Sequence, residues 1–355
     1  MSEIKAVFRG ADVRDEFLAV MSETFSQEAV ERKRRAWDWL FKAPFRTETN
    51  PARVLTVERA GRLVGGVFLL PTEVTLDGVP TPAVLPIGNN IRPNDRGAGI
   101  VTLKTCFNLG HGGITVGLAS SDRLSAVWTK LGAAESPPRA LCRKLYRPGS
   151  ILALRGRLPR MLGGPLDAVF RLPLAIIGIM RPSPRKTERI VPIETFGPEF
   201  DTAWEAARPS VKCAISRTSA HLQWRHIESP FPAGRCLALY RDRKLAGYVA
   251  ITIAPTGSGP AGRVTDIFAY TGTARDYGLL LAAADAEFMR ARCTYGEIAY
   301  GCSKAIDTAA WRAGFFSRKQ TRPLNLGHEN PDANADLPRL AADMHFCRAD
   351  HDEDY

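Results

Sequence analysis

Apolar and polar positions alternate from Glu3 to Arg9, the period of a half-buried strand. The spacing changes to helical over Asp12 to Met21 and again over Gln27 to Leu40. Alternation returns in Arg53–Glu58 and Leu63–Thr75, around a turn at Ala60-Gly61-Arg62. Asp77-Gly78 is a hairpin signal and leads into a further strand, Val79–Ile91. A glycine-rich turn, Arg96-Gly-Ala-Gly99, then opens a helix predicted over Ile100–Leu109. Gly113–Leu118 reads as a short strand, Asp122–Leu131 as a helix stopped by Gly132, and Leu141–Tyr146 as a last strand.

A second series starts near Phe200. It predicts a helix at Ala220–Ile227, strands at Cys236–Tyr240, Leu245–Ile253 and Arg263–Tyr270, a long helix at Tyr277–Ala291, a strand at Gly296–Tyr300 and a helix at Ile306–Arg312. The two series echo each other in order. Trp39 to Phe45 parallels Trp224 to Phe231, Arg62-Leu-Val-Gly65 parallels Lys244-Leu-Ala-Gly247, Arg96-x-x-Gly99 parallels Arg275-x-x-Gly278, and Trp128 to Gly132 parallels Trp311 to Gly314. Matches in one order, at offsets of about 180 residues, point to a tandem duplication. The predicted class is α/β (α+β): two tandem domains, each a mixed, mostly antiparallel twisted sheet flanked by helices. The expected division is 1–148, a linker at 149–194, a degenerate copy at 195–330 and a tail at 331–355.

Length and composition narrow the partners. The 355 residues suit two domains, and 45% apolar with 24% charged residues is the balance of a globular chain. The net charge of +11 favours anionic partners. Seven cysteines, none in a C-x-x-C pair, argue against a disulfide framework or a zinc site, so no metal and a cytoplasmic setting are expected. The span 151–190 carries eight Arg or Lys and two acids around the apolar run Leu166–Met180. It reads either as a linker helix packed between the domains or as a basic segment making peripheral contact with an anionic membrane at its inner face. The acidic end Arg348–Tyr355 reads as solvated. Basic residues are scattered outside this span and carry no aromatic-basic motif, so nucleic acid is not the expected partner.

The glycine turn carries the chemistry. Backbone N–H groups left unpaired at a helix start, with the positive end of its dipole, make a pyrophosphate site. The strand order together with Arg96-Gly-Ala-Gly99-Ile-Val101 and Trp128-Thr-Lys-Leu-Gly132 resembles the GNAT superfamily of acyl-CoA-dependent N-acetyltransferases. The likeness is to tandem members found with bacterial surface-polysaccharide biosynthesis. It implies acetyl-CoA or another acyl-CoA bound by Arg96, Gly97, Ala98, Gly99, Ile100 and Val101, with the pantetheine pairing along Asn89, Asn90 and Ile91. The pattern departs at Val101, where the family has glycine or alanine, and at Trp128, where it often has tyrosine. Leu280 marks the second copy as the one expected to have lost the cofactor.

Transfer to an amine needs a base and a proton source for the thiolate. Glu73 is the nearest carboxylate by position on the preceding strand, and Ser121, with Ser120, stands where a water or the thiol would be oriented. The implied acceptor is an amine, such as an amino sugar of a cell-surface polysaccharide precursor, handled by a monomer or homodimer. Two other readings stay open: a Fem-type aminoacyl transferase using charged tRNA, and a non-catalytic ligand-binding or scaffolding relic. A Rossmann site is disfavoured, because Thr102 occupies the place of its third glycine.

Overall fold

A computed structural model describes residues 3–350 other than 96, 110–112, 119–121, 180–181, 232–233, 258, 302, 322, 329 and 331–334. The first half runs β1 (Ile4–Arg9), α1 (Arg14–Ser22), α2 (Gln27–Leu40), β2 (Arg53–Arg59), β3 (Arg62–Leu76), β4 (Val79–Ile91), α3 (Gly97–Phe107), β5 (Ile114–Leu118), α4 (Asp122–Lys130), β6 (Ala134–Glu135) and β7 (Ala140–Leu145). Two helices follow, α5 (Pro148–Leu154) and α6 (Arg160–Ile179). The second half runs β8 (Glu188–Ile193), α7 (Pro198–Ala207), β9 (Cys213–Ile215), α8 (Ser219–His226), β10 (Arg235–Arg241), β11 (Lys244–Ala254), β12 (Ala261–Ala269), α9 (Ala274–Arg290), β13 (Tyr295–Tyr300), α10 (Lys304–Arg312), β14 (Phe316–Gln320), β15 (Leu324–His328), α11 (Leu337–Ala342) and β16 (Met344–His345).

The halves form two mixed sheets that trade a strand. One sheet is ordered β1-β2-β3-β4-β5-β15-β6, and the other β14-β7-β13-β12-β11-β10-β8. β7 therefore leaves its own half and lies antiparallel between β13 and β14, while β15 crosses back to lie between β5 and β6. The division expected at residue 148 follows the chain but not the sheets. A buried ion pair fixes the crossing: Lys144 Nζ of β7 lies 3.0 Å from Asp285 Oδ1 of α9, both shielded from solvent. Tyr146 donates to the same carboxylate at 2.6 Å.

The exchange is reciprocal, and so is the contact at its centre. Trp39 Nε1 donates to the Trp224 carbonyl and Trp224 Nε1 donates to the Trp39 carbonyl, each at 3.0 Å. The two indoles stack with centroids 4.2 Å apart and planes 10° apart. Residue i meeting j while j meets i is the mark of two-fold symmetry, here between the halves of one chain. The tandem repeat seen in sequence is thus a structural one.

Three segments differ from their expected form. The region 149–194 is a helical hairpin followed by β8, which is the edge strand of the second sheet. Gly149 and Gly163 let its helices touch, since a Cβ on Gly149 would lie 2.3 Å from the Gly163 carbonyl oxygen. The helix after the glycine turn starts at Gly97, so the glycines lie inside its first turn rather than before it. The C-terminal stretch is not solvated as far as Asp350: β16 pairs parallel with β9, and Phe346, Cys347, Ala349 and Asp350 are buried. Its apolar positions Met344, Phe346 and Cys347 outweigh the acids that follow.

Candidate functional site

Each sheet opens at one place. β4 and β5 are hydrogen-bonded in parallel only at Ala83/Ile114 and Val84/Thr115, then part. Along the parted edge β4 bulges opposite Val67, placing Gly88 and Asn89 where the partner strand has one residue. Gly88 takes a φ of +63°, and a Cβ there would lie 3.2 Å from Cε of Lys33, a buried side chain of α2. The bulge thus has a lysine against it, a residue that helical periodicity alone assigned no role.

Beyond the bulge, Asn89, Asn90 and Ile91 lead to α3. Oδ1 of Asn89, both amide atoms of Asn90 and Nε1 of Trp128 are buried without a hydrogen-bond partner among the described residues. Such groups are costly unless something meets them. Trp128 lies flat over Gly117 of β5, where a Cβ would come within 2.6 Å of the indole. Between Val67, Pro86, Asn89, Thr102, Cys106 and Trp128 there remains a cavity of about 20 Å³. That holds about one water, so an arm as long as pantetheine enters only if the Trp128 wedge moves.

The start of α3 is open. A Cβ on Gly97 would meet nothing within 4 Å, and one on Gly99 only Ile91 Cγ1 at 3.6 Å. Neither glycine has a left-handed φ, so nothing in the fold itself requires glycine there. No acid lies in the first turn of α3, and the adjoining Asp95 is paired with Arg59. Ala98 is buried against Val57 and Val64, which leaves only its backbone for a ligand. Ile100 is exposed and Val101 half-buried. The described part of this turn is therefore open and carries no unpaired acid.

The second half has the same layout, but side chains occupy the start of α9 and the chain's own tail occupies the gap between the strands, beside a cavity of about 270 Å³ lined by Phe268, Tyr270, Tyr277 and His345. β12 and β13 part after Val264/Ile298, and β12 bulges at Thr265. At the start of α9, Asp276 is fully buried and accepts from Thr271 Oγ1 and Arg241. Arg275 donates to the Ser183 carbonyl at 3.1 Å and to Glu188 at 2.7 Å. A Cβ on Gly278 would collide with Pro182 at 2.8 Å. The gap between the strands holds the chain's own tail. Gly301 N–H donates to the Phe346 carbonyl at 2.6 Å, Cys347 Sγ lies 3.8 Å from the Ile267 carbonyl, and Asp350 accepts from Arg217 at 2.6 Å.

Arg217 is wholly buried and organises a polar cluster beside this tail. Asp266 accepts from Tyr248 at 2.6 Å and lies 3.3 Å from His226 Nε2 and 3.4 Å from Arg217. Burial alone would raise the Asp266 carboxyl, but Arg217, His226 and Tyr248 outweigh it and hold it well below the usual range. His345 is pushed down to about 4 by burial and by Arg217. Asp266, His345 and Cys347 come within 4.8 Å of one another, but the Asp266 oxygens already serve a cation and two donors. His226 also lines a cavity of about 540 Å³ between the halves, walled by α2, α8, β10 to β12 and the tail.

Of the expected catalytic residues, Glu73 is not brought to the cradle. It faces Pro82, six residues along β3 from Val67, roughly 20 Å at the rise of a strand. Its carboxylate accepts from Ser216 Oγ at 2.6 Å. Ser121, Arg96 and His111 lie outside the described residues. Sequence reasoning missed Lys33, Arg217 and the Asp266–His226 pair. The available signal was the register: Arg32 and Arg217 each precede their paired tryptophan by the same interval.

No protein-family model matches the chain, and no curated protein matches it in sequence. Solved structures do match in fold. A GCN5-related N-acetyltransferase from Anabaena variabilis ATCC 29413 superposes with a TM-score of 0.62 at 13% identity, covering 92% of this chain and 73% of that one. A tandem GNAT protein from the clavulanic acid biosynthesis pathway gives 0.53 at 15% identity over 93% and 99% of the two chains. The N-myristoyltransferase of Saccharomyces cerevisiae, solved with bound myristoyl-CoA, gives 0.54 at 12% identity over 97% and 89%. The fold is therefore that of two GNAT-like domains.

Proposed function

We propose that this chain is an acyl-CoA-dependent N-acyltransferase whose first half, within residues 1–148, binds the donor and whose second half helps to shape the acceptor site. The observation that carries this reading is the contrast between the two helix starts. At Gly97–Gly99 two glycines leave open space that the fold does not need, whereas at Arg275–Gly278 Asp276 and Pro182 occupy the equivalent space. Donor binding places the pyrophosphate on the N–H groups of residues 97–101, with Arg96 beside them, and the pantetheine against Asn89, Asn90 and Ile91, whose buried amides it would satisfy. The myristoyl-CoA held by the yeast neighbour suits this donor class.

In the reaction the amine nitrogen forms a bond to the thioester carbonyl carbon as the carbon–sulfur bond breaks. The amine proton passes to a base, and the departing thiolate takes up a proton. Backbone N–H groups at the β4 bulge hold the carbonyl oxygen, and the buried Lys33 side chain lies against the bulge. Ser121, with Ser120, is proposed to orient a water or the thiol. The acceptor class is an amine, with an amino sugar of a polysaccharide precursor as the family likeness suggests.

Titration calorimetry with CoA, followed by thiol release from acetyl-CoA across a panel of amines, tests the proposal. Binding with turnover on at least one amine is expected. No heat at millimolar CoA overturns the donor assignment. Binding without turnover favours a relic, and tighter association with charged tRNA favours the Fem-type reading.

A peripheral membrane role has one specific observation behind it. The α5–α6 hairpin exposes Leu154, Met161, Leu162, Val169 and Phe170 beside Arg155 and Arg157. Among the described residues no helix is long and apolar enough to cross a membrane. Flotation with anionic but not neutral liposomes is expected, and indifference to lipid charge would remove this role.

A further inference from the structure

We infer that a slot beneath α5 holds the acyl chain of an anionic phospholipid. The slot encloses about 250 Å³ between α5 and the second sheet. Arg143 and Leu145 of β7 and Tyr295 of β13 form its floor, and Ile151, Leu152 and Arg155 its roof. Lys144 of β7 reaches Asp285 of α9. Arg143 and Leu145, one residue to either side, therefore lie on the opposite face of the sheet from α9. The volume falls below the roughly 300–1,000 Å³ of a site for a whole small molecule, and it has no room for a helix about 10 Å across. A methylene chain fits it.

The roof is fixed in place. Asp167 of α6, itself buried, accepts from the Ser150 backbone N–H at 3.1 Å and from the Ser150 hydroxyl, and lies 3.5 Å from Arg147 Nε. These contacts hold the start of α5 on α6, so the slot is part of the fold and not a gap under a loose helix.

The surroundings of the slot identify its occupant. Tyr295 pairs with Leu145, and Phe316 of β14 pairs with Arg143, so all four share one face of the sheet. Leu145 and Phe316 are exposed on that face, and Leu154, Met161 and Leu162 are exposed on the hairpin. Arg143 donates to Glu297 at 2.7 Å and packs on the Tyr295 ring, so its charge is already met. Arg155 and Arg157 differ: both are exposed, and their side chains make no hydrogen bond or ion pair with the described residues. The one acid between Pro148 and Ile179 is Asp167, whose carboxylate is engaged by Ser150 and Arg147. An apolar surface with unpaired arginines and a narrow apolar slot matches a lipid, with a chain in the slot and its phosphate at Arg155. This step rests on the peripheral membrane role proposed above and is independent of acyl transfer.

The test uses the full chain with phosphatidylglycerol vesicles in which a trace of the lipid carries a photoactivatable diazirine at the chain end, and with matched phosphatidylcholine vesicles. Crosslinks are expected in the peptides that hold Leu145, Ile151–Leu152 and Tyr295, roughly fivefold or more above phosphatidylcholine. Leu152→Trp, which fills the slot from a half-buried position, should abolish them while flotation and thermal unfolding stay as in the wild type. Arg155→Gln, at an exposed position, should reduce them about fivefold, the effect of one basic residue at an anionic surface. Crosslinks confined to Met161, Leu162 and Phe170 with flotation intact would overturn the slot and leave the membrane role standing. Loss of flotation from anionic vesicles would overturn both. Slot crosslinks that survive Leu152→Trp, or that are as strong with phosphatidylcholine, would also overturn the inference.

Discussion

Replacing Gly99 by aspartate should separate folding from binding in opposite directions. In the folded protein a Cβ at this position meets only Ile91 Cγ1, at 3.6 Å, and the backbone is not left-handed. Replacing a helical glycine by alanine stabilises by about 0.5–1 kcal/mol, of which aspartate, a weak helix former, recovers only about 0.3 kcal/mol. An acid in the first turn of α3, which has none, adds about 0.3–1 kcal/mol through the helix dipole. The variant should therefore unfold at the same or a slightly higher temperature. Binding should suffer heavily. One carboxylate roughly 4–5 Å from a pyrophosphate charge costs about 3–4 kcal/mol at an effective dielectric of 20, more than a hundredfold in affinity. Calorimetry with CoA and thermal unfolding, run on the same samples, provide the two readouts. Gly99→Ala is the control and should keep most of the affinity. CoA affinity within tenfold of the wild type in Gly99→Asp would refute the cradle, and loss of binding with a large drop in melting temperature would show that the glycine is structural.

Two further predictions concern how the halves are held. Lys144→Met leaves Asp285 buried without its lysine, and should destabilise by about 3–5 kcal/mol in denaturant unfolding; a change under 1 kcal/mol would mean that the exchanged strand is not locked there. His345, held at about 4 against an ordinary value of 6.5, is neutral in the folded chain. Its contribution is fully present above pH 6.5 and is lost as pH falls toward 4, where the unfolded chain takes up a proton that the folded one refuses, on the order of 3 kcal/mol in all. Denaturant midpoints from pH 7 to pH 4 should fall less steeply in His345→Asn than in the wild type, and parallel slopes would contradict this.

Local pattern carried most elements and the repeat, because amphipathic spacing and turn residues are local properties. The Trp39 and Trp224 segments were recognisable as copies for the same reason, and their stacking is the physical consequence of that copying. Pairing between distant strands was not legible. Nothing in Ala140–Leu145 distinguishes a strand that joins β5 from one that joins β13, because both sheets offer it an apolar face. β8 was hidden in the basic linker, where its short apolar run Ile190-Val191 looks like part of a helix. The tail misled through its charge: five acids between Asp343 and Asp354 suggest solvent, yet Arg217 meets Asp350 inside the protein. Within the site, the open turn was legible from its glycines. The filled state of its counterpart was not, because Asp276, Pro182 and Phe346 lie far apart in sequence.

The central claim, that the donor binds in the first half alone, is tested most directly by amide hydrogen exchange with and without CoA. Added protection is predicted in peptides spanning Ile87 to Leu103 and around Trp128, with no change at Thr273–Leu281 or in the tail from Met344 to Asp350. Protection at Thr273–Leu281, together with faster exchange in that tail as CoA displaces it from the second gap, would contradict the account.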